Sequence, residues 1–299
     1  MTGVRTYALS PSVMATALMG KGSTKVSVCI PCRNEAATIG PIVSQIVSAL
    51  MSGDVPMVDE LLVFDDGSTD ATASVAAAAG ARVIRVSDVL AEAGPGSGKG
   101  NVLWASVAAS DGDVIVWCDG DLLSFVPDYV LRLVAPFLLD AEVAFVKGYY
   151  ERLLDASGEG GGRNTELVAR PLLALLFPEL AGVLQPLGGE YAARRSVLEQ
   201  VPFAEGYGVE IGLLIDVAAI VGSGAIVQVD LGVRRHRHRP LPELSAQAGE
   251  IMHAMLRRAG LRADRLPPVA SLARVDRADQ LLRVSERPPL LSIAAYVNR

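Results

Sequence analysis

Aromatic side chains are scarce in this sequence: 6 Phe, 7 Tyr and 2 Trp among 299 residues. A binder of single-stranded nucleic acid, which needs rings for bases to stack on, is disfavoured on that count. Basic residues are also in the minority, 27 against 33 acidic, and the formal net charge of −6 argues the same way. Three cysteines cannot build a disulfide scaffold, and the odd number leaves one unpaired. A reducing cytoplasm is the expected setting. No apolar run reaches the ~20 residues that span a bilayer. The short run VMATALMG is followed by no signal-peptide cleavage pattern. Neither a nucleic acid nor a membrane is therefore expected as a partner, and no internal repeat is present.

What is abundant is small and apolar: Ala, Val, Leu and Gly, in a chain that is 51% hydrophobic and so can bury a sizeable core. Short β-branched runs alternate with helical periodicity. Strands are expected at 26–30, 60–64, 82–86 and 113–118, with helices at 36–51, 70–79 and 101–109 between them. The pattern predicts an α/β fold, a mostly parallel sheet with helices on both faces. Residues 1–23 read as a flexible leader, and 24–145 and 146–240 as two halves of the same domain. Within the second half, helices are expected at 165–176 and 209–221 and a strand at 225–229. Residues 241–299 read as a C-terminal helix, at about 246–260, and a tail.

The chemistry-bearing segments fall at the carboxyl ends of the expected strands, where open α/β sheets bind ligands. WCDGDL puts Asp119 and Asp121 one residue apart after a buried strand. Such a pair can share a divalent cation and the diphosphate it holds, because Mg2+ and Mn2+ favour hard oxygen ligands. A solvated turn is the alternative, and the position after a β-branched strand favours the metal. In FDDGSTDAT, Asp65 or Asp66 can accept from a base or ribose and Ser68 can cap the next helix. GPGSGKG offers pliant backbone and Lys99 for phosphates, but Gly100 stands where a P-loop needs Ser or Thr. In CIPCRNE, the Cys29 and Cys32 spacing suggests a redox pair. No redox partner motif follows, and Cys29 points into a packed face. Glu35 can accept from sugar hydroxyls or a base, or cap a helix.

Three later segments stand apart. GGGRNTELVARPLL sets Arg163 and Thr165 between glycines and a helix start, a place suited to an anion or simply to a capped flexible loop. YGVEIGLLID places Glu210 on an otherwise apolar helix, where an acid is either near a site or paired with a base. VRRHRHRP puts His236 and His238 on one side of an extended segment within a local basic cluster. One of these histidines is a candidate third metal ligand, against a plain basic surface run.

Together PxxNE, DDGSTD, GKG and the D-x-D resemble the family 2-like glycosyltransferases of GT-A fold. The second-half blocks, with LQPLGGEYAARR and LGVRRHRHRPL, narrow the likeness to the glucosyl-3-phosphoglycerate synthase family of actinobacteria, retaining glucosyltransferases, over about residues 24–245. That resemblance implies UDP-glucose as donor, 3-phosphoglycerate as acceptor and Mg2+ or Mn2+ as cofactor, with 24–145 as the nucleotide-sugar-binding half and 146–240 as the acceptor-binding half. Pro31, Cys32, Asn34, Glu35, Asp66, Ser68, Lys99, Asp119, Gly120, Tyr207 and Glu210 would bind the nucleotide sugar. Gly162, Arg163, Thr165 and His238 would hold the acceptor, and Asp121 with His236 the metal. Glu210, Asp121 and Lys99 would carry the catalysis, and a homodimer is expected. His238 stands where the mycobacterial enzymes are expected to have Asn, and Gly120 where they are expected to have Ser. Rival activities are a different sugar nucleotide or acceptor, a sugar nucleotidyltransferase, and a silent sugar-nucleotide binder.

Overall fold

Runs such as VSVCI and VIVW carry no polar face, so they are stable only where helices cover both sides of a sheet. The computed structural model describes residues 3–53, 56–152, 162–234, 241–261, 270–273 and 278–299. The chain enters through β1 (Arg5–Tyr7) and α1 (Pro11–Met19). Ser10 starts that helix by accepting from the Val13 N–H, with Pro11 in the first turn, where its missing donor costs nothing. β2 (Val26–Cys32), α2 (Ile39–Leu50), β3 (Glu60–Asp65), α3 (Thr72–Ala78), β4 (Arg82–Arg85), α4 (Gly98–Ala109) and β5 (Val114–Trp117) then alternate as the periodicity predicts. α5 (Asp128–Leu139) and β6 (Phe145–Arg152) come next. A π-helical turn, Thr165–Ala169, runs into α6 (Arg170–Leu176). Then come β7 (Tyr191–Arg194), α7 (Arg195–Leu198), β8 (Phe203–Ala204), α8 (Val209–Val221) and β9 (Ile226–Arg234). The C-terminal part holds α9 (Leu241–Arg258), β10 (Ala270–Leu272), β11 (Gln280–Leu282), β12 (Glu286–Arg287) and α10 (Ala294–Val297).

Among the described residues the main sheet has the order β1-β9-β6-β7-β5-β2-β3-β4. Its pairs are parallel except for β7, which runs antiparallel to both β5 and β6. Alternation along β2 sends Val28 and Ile30 to the face covered by Ile42 and Ile46 of α2 and by Leu133 of α5. Cys29 goes to the other face, against Leu62, Phe64, Trp104 and Trp117. The chain turns from β2 to β3 on one side while β5 lies on the other, so a crevice opens between the ends of β2 and β5.

Four differences from the sequence reading have physical causes. The expected leader takes regular structure from Arg5: β1 adds to β9, and Met14 and Ala17 of α1 pack on Ala135 of α5. A three-residue strand has no periodicity to read, and only its partner makes it a strand. β6 and β7 are absent from the reading because YYER and YAAR mix polar and apolar residues, although Tyr191 and Ala192 are buried. The boundary drawn between 145 and 146 falls inside β6, so the two halves share one sheet. Lys99, expected on a loop, lies in the first turn of α4. No described helix is long and apolar enough to cross a membrane.

Candidate active site

A cavity of about 510 Å³ opens at the crevice. Its wall includes Pro31, Cys32 and Glu35 after β2, Asp66 after β3, Lys99 on α4, and Asp119, Gly120 and Asp121 after β5. Gly162, Arg163 and Thr165 line another part, with Tyr207 and Glu210 at the start of α8. The residues expected to bind donor and acceptor therefore face one space. Asn34 and Ser68, expected to touch the nucleotide, are not in that wall. The Asn34 N–H donates to Ser68 Oγ at 3.0 Å, and Asn34 Oδ1 accepts from the Thr69 N–H at 2.8 Å. Asn34 has φ +60°, a left-handed conformation that Asn tolerates better than most residues. The pair staples the loop after β2 to the loop after β3. His236 and His238 lie outside the described residues.

Lys99 organises the floor. Its Nζ is 2.7 Å from Asp119 Oδ1 and 2.7 Å from Glu210 Oε1, joining a carboxylate from each half of the chain. Burial alone would favour the neutral amine, but these two carboxylates outweigh it and hold the ammonium pKa well above its usual value. Asp119 is pressed from the other side by Gly189, where an added Cβ would fall 2.2 Å from the carboxylate oxygens. Gly120 has a similar constraint: a Cβ there would meet Cys32 Sγ at 2.6 Å, so Cys32 fills space that a larger D-x-D centre would need. At Gly100 a Cβ would fall 1.8 Å from the Ala204 carbonyl oxygen. Close approach of α4 to β8 thus accounts for Gly where a P-loop would carry Ser or Thr.

The cysteines are not a redox pair. None of the three is in a disulfide, all are buried, and Cys29 and Cys32 lie on opposite faces of the sheet. Burial pushes the Cys29 thiol up to about 12 and, aided by the Glu35 and Asp65 charges, raises Cys32 further, so neither is a thiolate at neutral pH.

Several site residues were invisible to sequence reasoning. Thr38, buried at the start of α2, donates its hydroxyl to the Gly120 carbonyl at 2.6 Å and so fixes the D-x-D turn. Lys147 of β6 is fully buried. It donates to the Gly188 carbonyl at 2.6 Å and sits 4.2 Å over the Tyr191 ring. It thereby holds the Leu187–Gly188 corner, whose Leu187 lines the cavity. Leu244, Gln247 and Ile251 on α9, and Arg283 after β11, also line it, so the expected tail contributes to the site. Asn164 Nδ2 donates to the Leu244 carbonyl at 3.2 Å, tying the Arg163 loop to that helix.

The donor set suits a hard divalent cation. Asp119 and Asp121 present carboxylate oxygens at a strand end beside space for phosphate oxygens, and Lys99 already balances part of the negative charge. Among the described residues no cluster of three His, Cys, Asp or Glu side chains forms a complete cage. Two carboxylates completed by diphosphate oxygens are the arrangement Mg2+ commonly takes.

A mostly parallel sheet whose paired aspartates and half-buried lysine meet at the topological switch fits a sugar-nucleotide transferase of GT-A type, and the chain belongs to that class: the Glycosyl transferase family 2 model matches residues 27–200. Within it the chain belongs to the glucosyl-3-phosphoglycerate synthase family. The glucosyl-3-phosphoglycerate synthase of Mycolicibacterium smegmatis is 50% identical over 245 residues, covering 81% of this chain and 80% of that protein. The enzyme of that name from Mycobacterium tuberculosis, in complex with Mn2+, uridine-diphosphate-glucose and phosphoglyceric acid, superposes with a TM-score of 0.87. It is 41% identical, over 98% of this chain and 99% of that one. Its structure with Mg2+ and uridine-diphosphate gives a TM-score of 0.85 at 42% identity, over 97% of this chain and 99% of that one.

Proposed function

We propose that this protein transfers glucose from UDP-glucose to the 2-hydroxyl of 3-phospho-D-glycerate, releasing UDP, with retention of the anomeric configuration. The observation that carries the reading is the one cavity lined by Asp119, Asp121 and Lys99 and also by Gly162, Arg163 and Thr165, with Glu210, salt-bridged to Lys99, in the same wall. The donor and acceptor in the M. tuberculosis complex are one sugar nucleotide and one phosphorylated acid, and this cavity supplies a place for each.

The nucleotide would lie against Pro31, Cys32, Glu35 and Asp66, with its diphosphate toward Lys99 and the aspartates. Asp121 and His236 would hold a Mg2+ or Mn2+ ion, which supplies Lewis-acid neutralisation of the departing diphosphate. Tyr207 and Glu210 would hold the glucose. Arg163, with Gly162 and Thr165, would meet the acceptor's phosphate and carboxylate, as a net-acidic protein must do locally. His238 would flank the same acceptor.

Glu210 is salt-bridged to Lys99 at 2.7 Å, which makes it a poor nucleophile. That supports attack by the acceptor hydroxyl on the same face that the diphosphate leaves. The C1–O bond to UDP breaks, the C1–O bond to the acceptor oxygen forms, and the hydroxyl proton passes to the leaving phosphate. The protein's part is to position the partners and to stabilise charge.

Incubation with UDP-glucose, 3-phosphoglycerate and Mg2+ should release UDP and give an α-linked glucosyl product by NMR. Pyrophosphate release from a nucleoside triphosphate and a sugar phosphate would replace this reading with a nucleotidyltransferase. We place the enzyme in the cytoplasm as a homodimer; Leu167 and Leu175 are about three-quarters exposed near α6 and suit burial against a second copy, which sedimentation would detect.

A further inference from the structure

The C-terminal strands reach the cavity through Arg283, the residue after β11. Its side chain crosses two glycines. An added Cβ on Gly98 would fall 3.0 Å from Arg283 Cδ, and one on Gly206 would fall 3.0 Å from Arg283 Cβ. Both glycines have positive φ, +73° and +72°, and together they leave a slot for the arginine stem. The slot joins two segments already in the site, because Gly98 precedes Lys99 and Gly206 precedes Tyr207.

One buried carboxylate sets this corner. Glu250 of α9 accepts the Tyr207 N–H at 2.8 Å and the Arg283 N–H at 2.9 Å. The Arg283 guanidinium is 3.9 Å from the same carboxylate, too long for a tight pair, and the side chain is 46% exposed while lining the cavity. The backbone is therefore anchored and the charged end is left facing the cavity space.

The wall carries Glu35, Asp66, Asp119, Asp121 and Glu210 against Arg33, Lys99, Arg163 and Arg283, and Lys99 is engaged by Asp119 and Glu210, so a diphosphate entering there needs cationic contacts beyond Lys99. Arg33 sits 3.8 Å from Asp66. Burial raises the Asp66 pKa, the Arg33 and Arg283 charges offset this only in part, and both arginines line the cavity with Asp66. We propose that Arg283 is a donor-binding residue: its guanidinium contacts the incoming nucleoside diphosphate, and the C-terminal strands strap that ligand against the Lys99 turn.

The inference rests on the sugar-nucleotide reading above, and direct binding of UDP separates the two. Titration calorimetry of the full chain with UDP and Mg2+ would compare the unmodified protein, Arg283→Met and Arg283→Lys. Methionine keeps an aliphatic stem in the slot without the charge. It should weaken UDP binding roughly ten- to a hundred-fold, the range of one or two charge-assisted hydrogen bonds. Lysine should lose less, since it keeps the charge without the planar fork. In steady-state kinetics the KM for UDP-glucose should rise in Arg283→Met while that for 3-phosphoglycerate stays level. Unchanged UDP affinity in Arg283→Met would overturn the inference and leave the function standing. Failure of the unmodified chain to bind UDP would overturn the donor assignment and this inference with it.

Discussion

Asp119 and Asp121 leave β5 from a packed core in which Trp117, Ile115 and Phe64 are almost wholly buried. The segments carrying Arg163, Tyr207 and Arg283 rest instead on polar anchors from other elements: Asn164 on the Leu244 carbonyl, and Glu250 on two backbone N–H groups. The first region is fixed by burial, where each large side chain contributes roughly 1.5–3 kcal/mol and many act together. The second leans on hydrogen bonds that contribute about 0.5–1.5 kcal/mol each. A strand-end region of this kind suits constant parts of a reaction, the diphosphate and its counter-charge. A region tied by polar anchors suits the parts that must give way as donor and acceptor enter and products leave.

The largest expected effect lies in the buried region. Asp121→Asn removes a charge from the proposed cation site, and kcat should fall by more than about 100-fold, the scale of losing a preorganised charge contact. EDTA should abolish turnover of the unmodified protein and Mg2+ or Mn2+ restore it. Full activity in excess EDTA would refute the metal.

Arg163→Ala tests the anchored region. The KM for 3-phosphoglycerate should rise roughly ten- to a hundred-fold with that for UDP-glucose nearly constant. Arg163→Lys should recover part of the loss. An effect confined to UDP-glucose would overturn the assignment of Arg163 to the acceptor.

Lys147 sits on the seam, and its effect is on stability. Burial lowers its pKa from 10.5 to about 7, against the pull of Glu210 and with the push of Lys99. Between about pH 7 and 10.5 the unfolded chain binds a proton that the folded chain does not. This group therefore makes the protein more stable as pH rises through that window. Plots of Tm against pH should show a shallower rise for Lys147→Met than for the unmodified protein. Parallel curves would mean that the amine stays protonated inside the fold.

Cys32→Ser should have the smallest effect, leaving transfer within a few-fold and insensitive to reductant. Its sulfur fills the space beside Gly120 and has no role in electron transfer. A rate that changed between oxidising and reducing buffer would bring back the redox reading.

The buried region was legible in the sequence. β-Branched runs ending in DDGS and DGD announce strands and the ligand-facing loops at their ends, and α8 was expected with the bounds observed. Less legible were contacts that exist only once distant segments meet. Thr38 reads as an ordinary residue near a helix start until the Gly120 carbonyl arrives above it. Glu250 reads as one polar position on an amphipathic helix, and its two backbone partners lie 43 and 33 residues away. The steric need for glycine at 100 and 189 depends on β8 and on Asp119, which local patterns do not reveal. Asn34 and Ser68 stand out in the sequence, but their hydrogen bond to each other, which staples the loop after β2 to the loop after β3, is not readable in one dimension.

The pairing of β1 with β9 has a consequence for how the chain is made. Thr6 and Gln228 are hydrogen-bonded across 222 residues of sequence. During synthesis Arg5–Tyr7 emerges from the ribosome long before β9 exists to receive it, and β9 in turn emerges with an edge of unpaired backbone groups that invites foreign strands. Closing so long a loop is slow even though its entropy grows only with the logarithm of length. β1 is thus a latch that can engage only after most of the sheet has been synthesised. Asp140, which accepts from both Arg5 and Tyr7, is the catch that holds it shut.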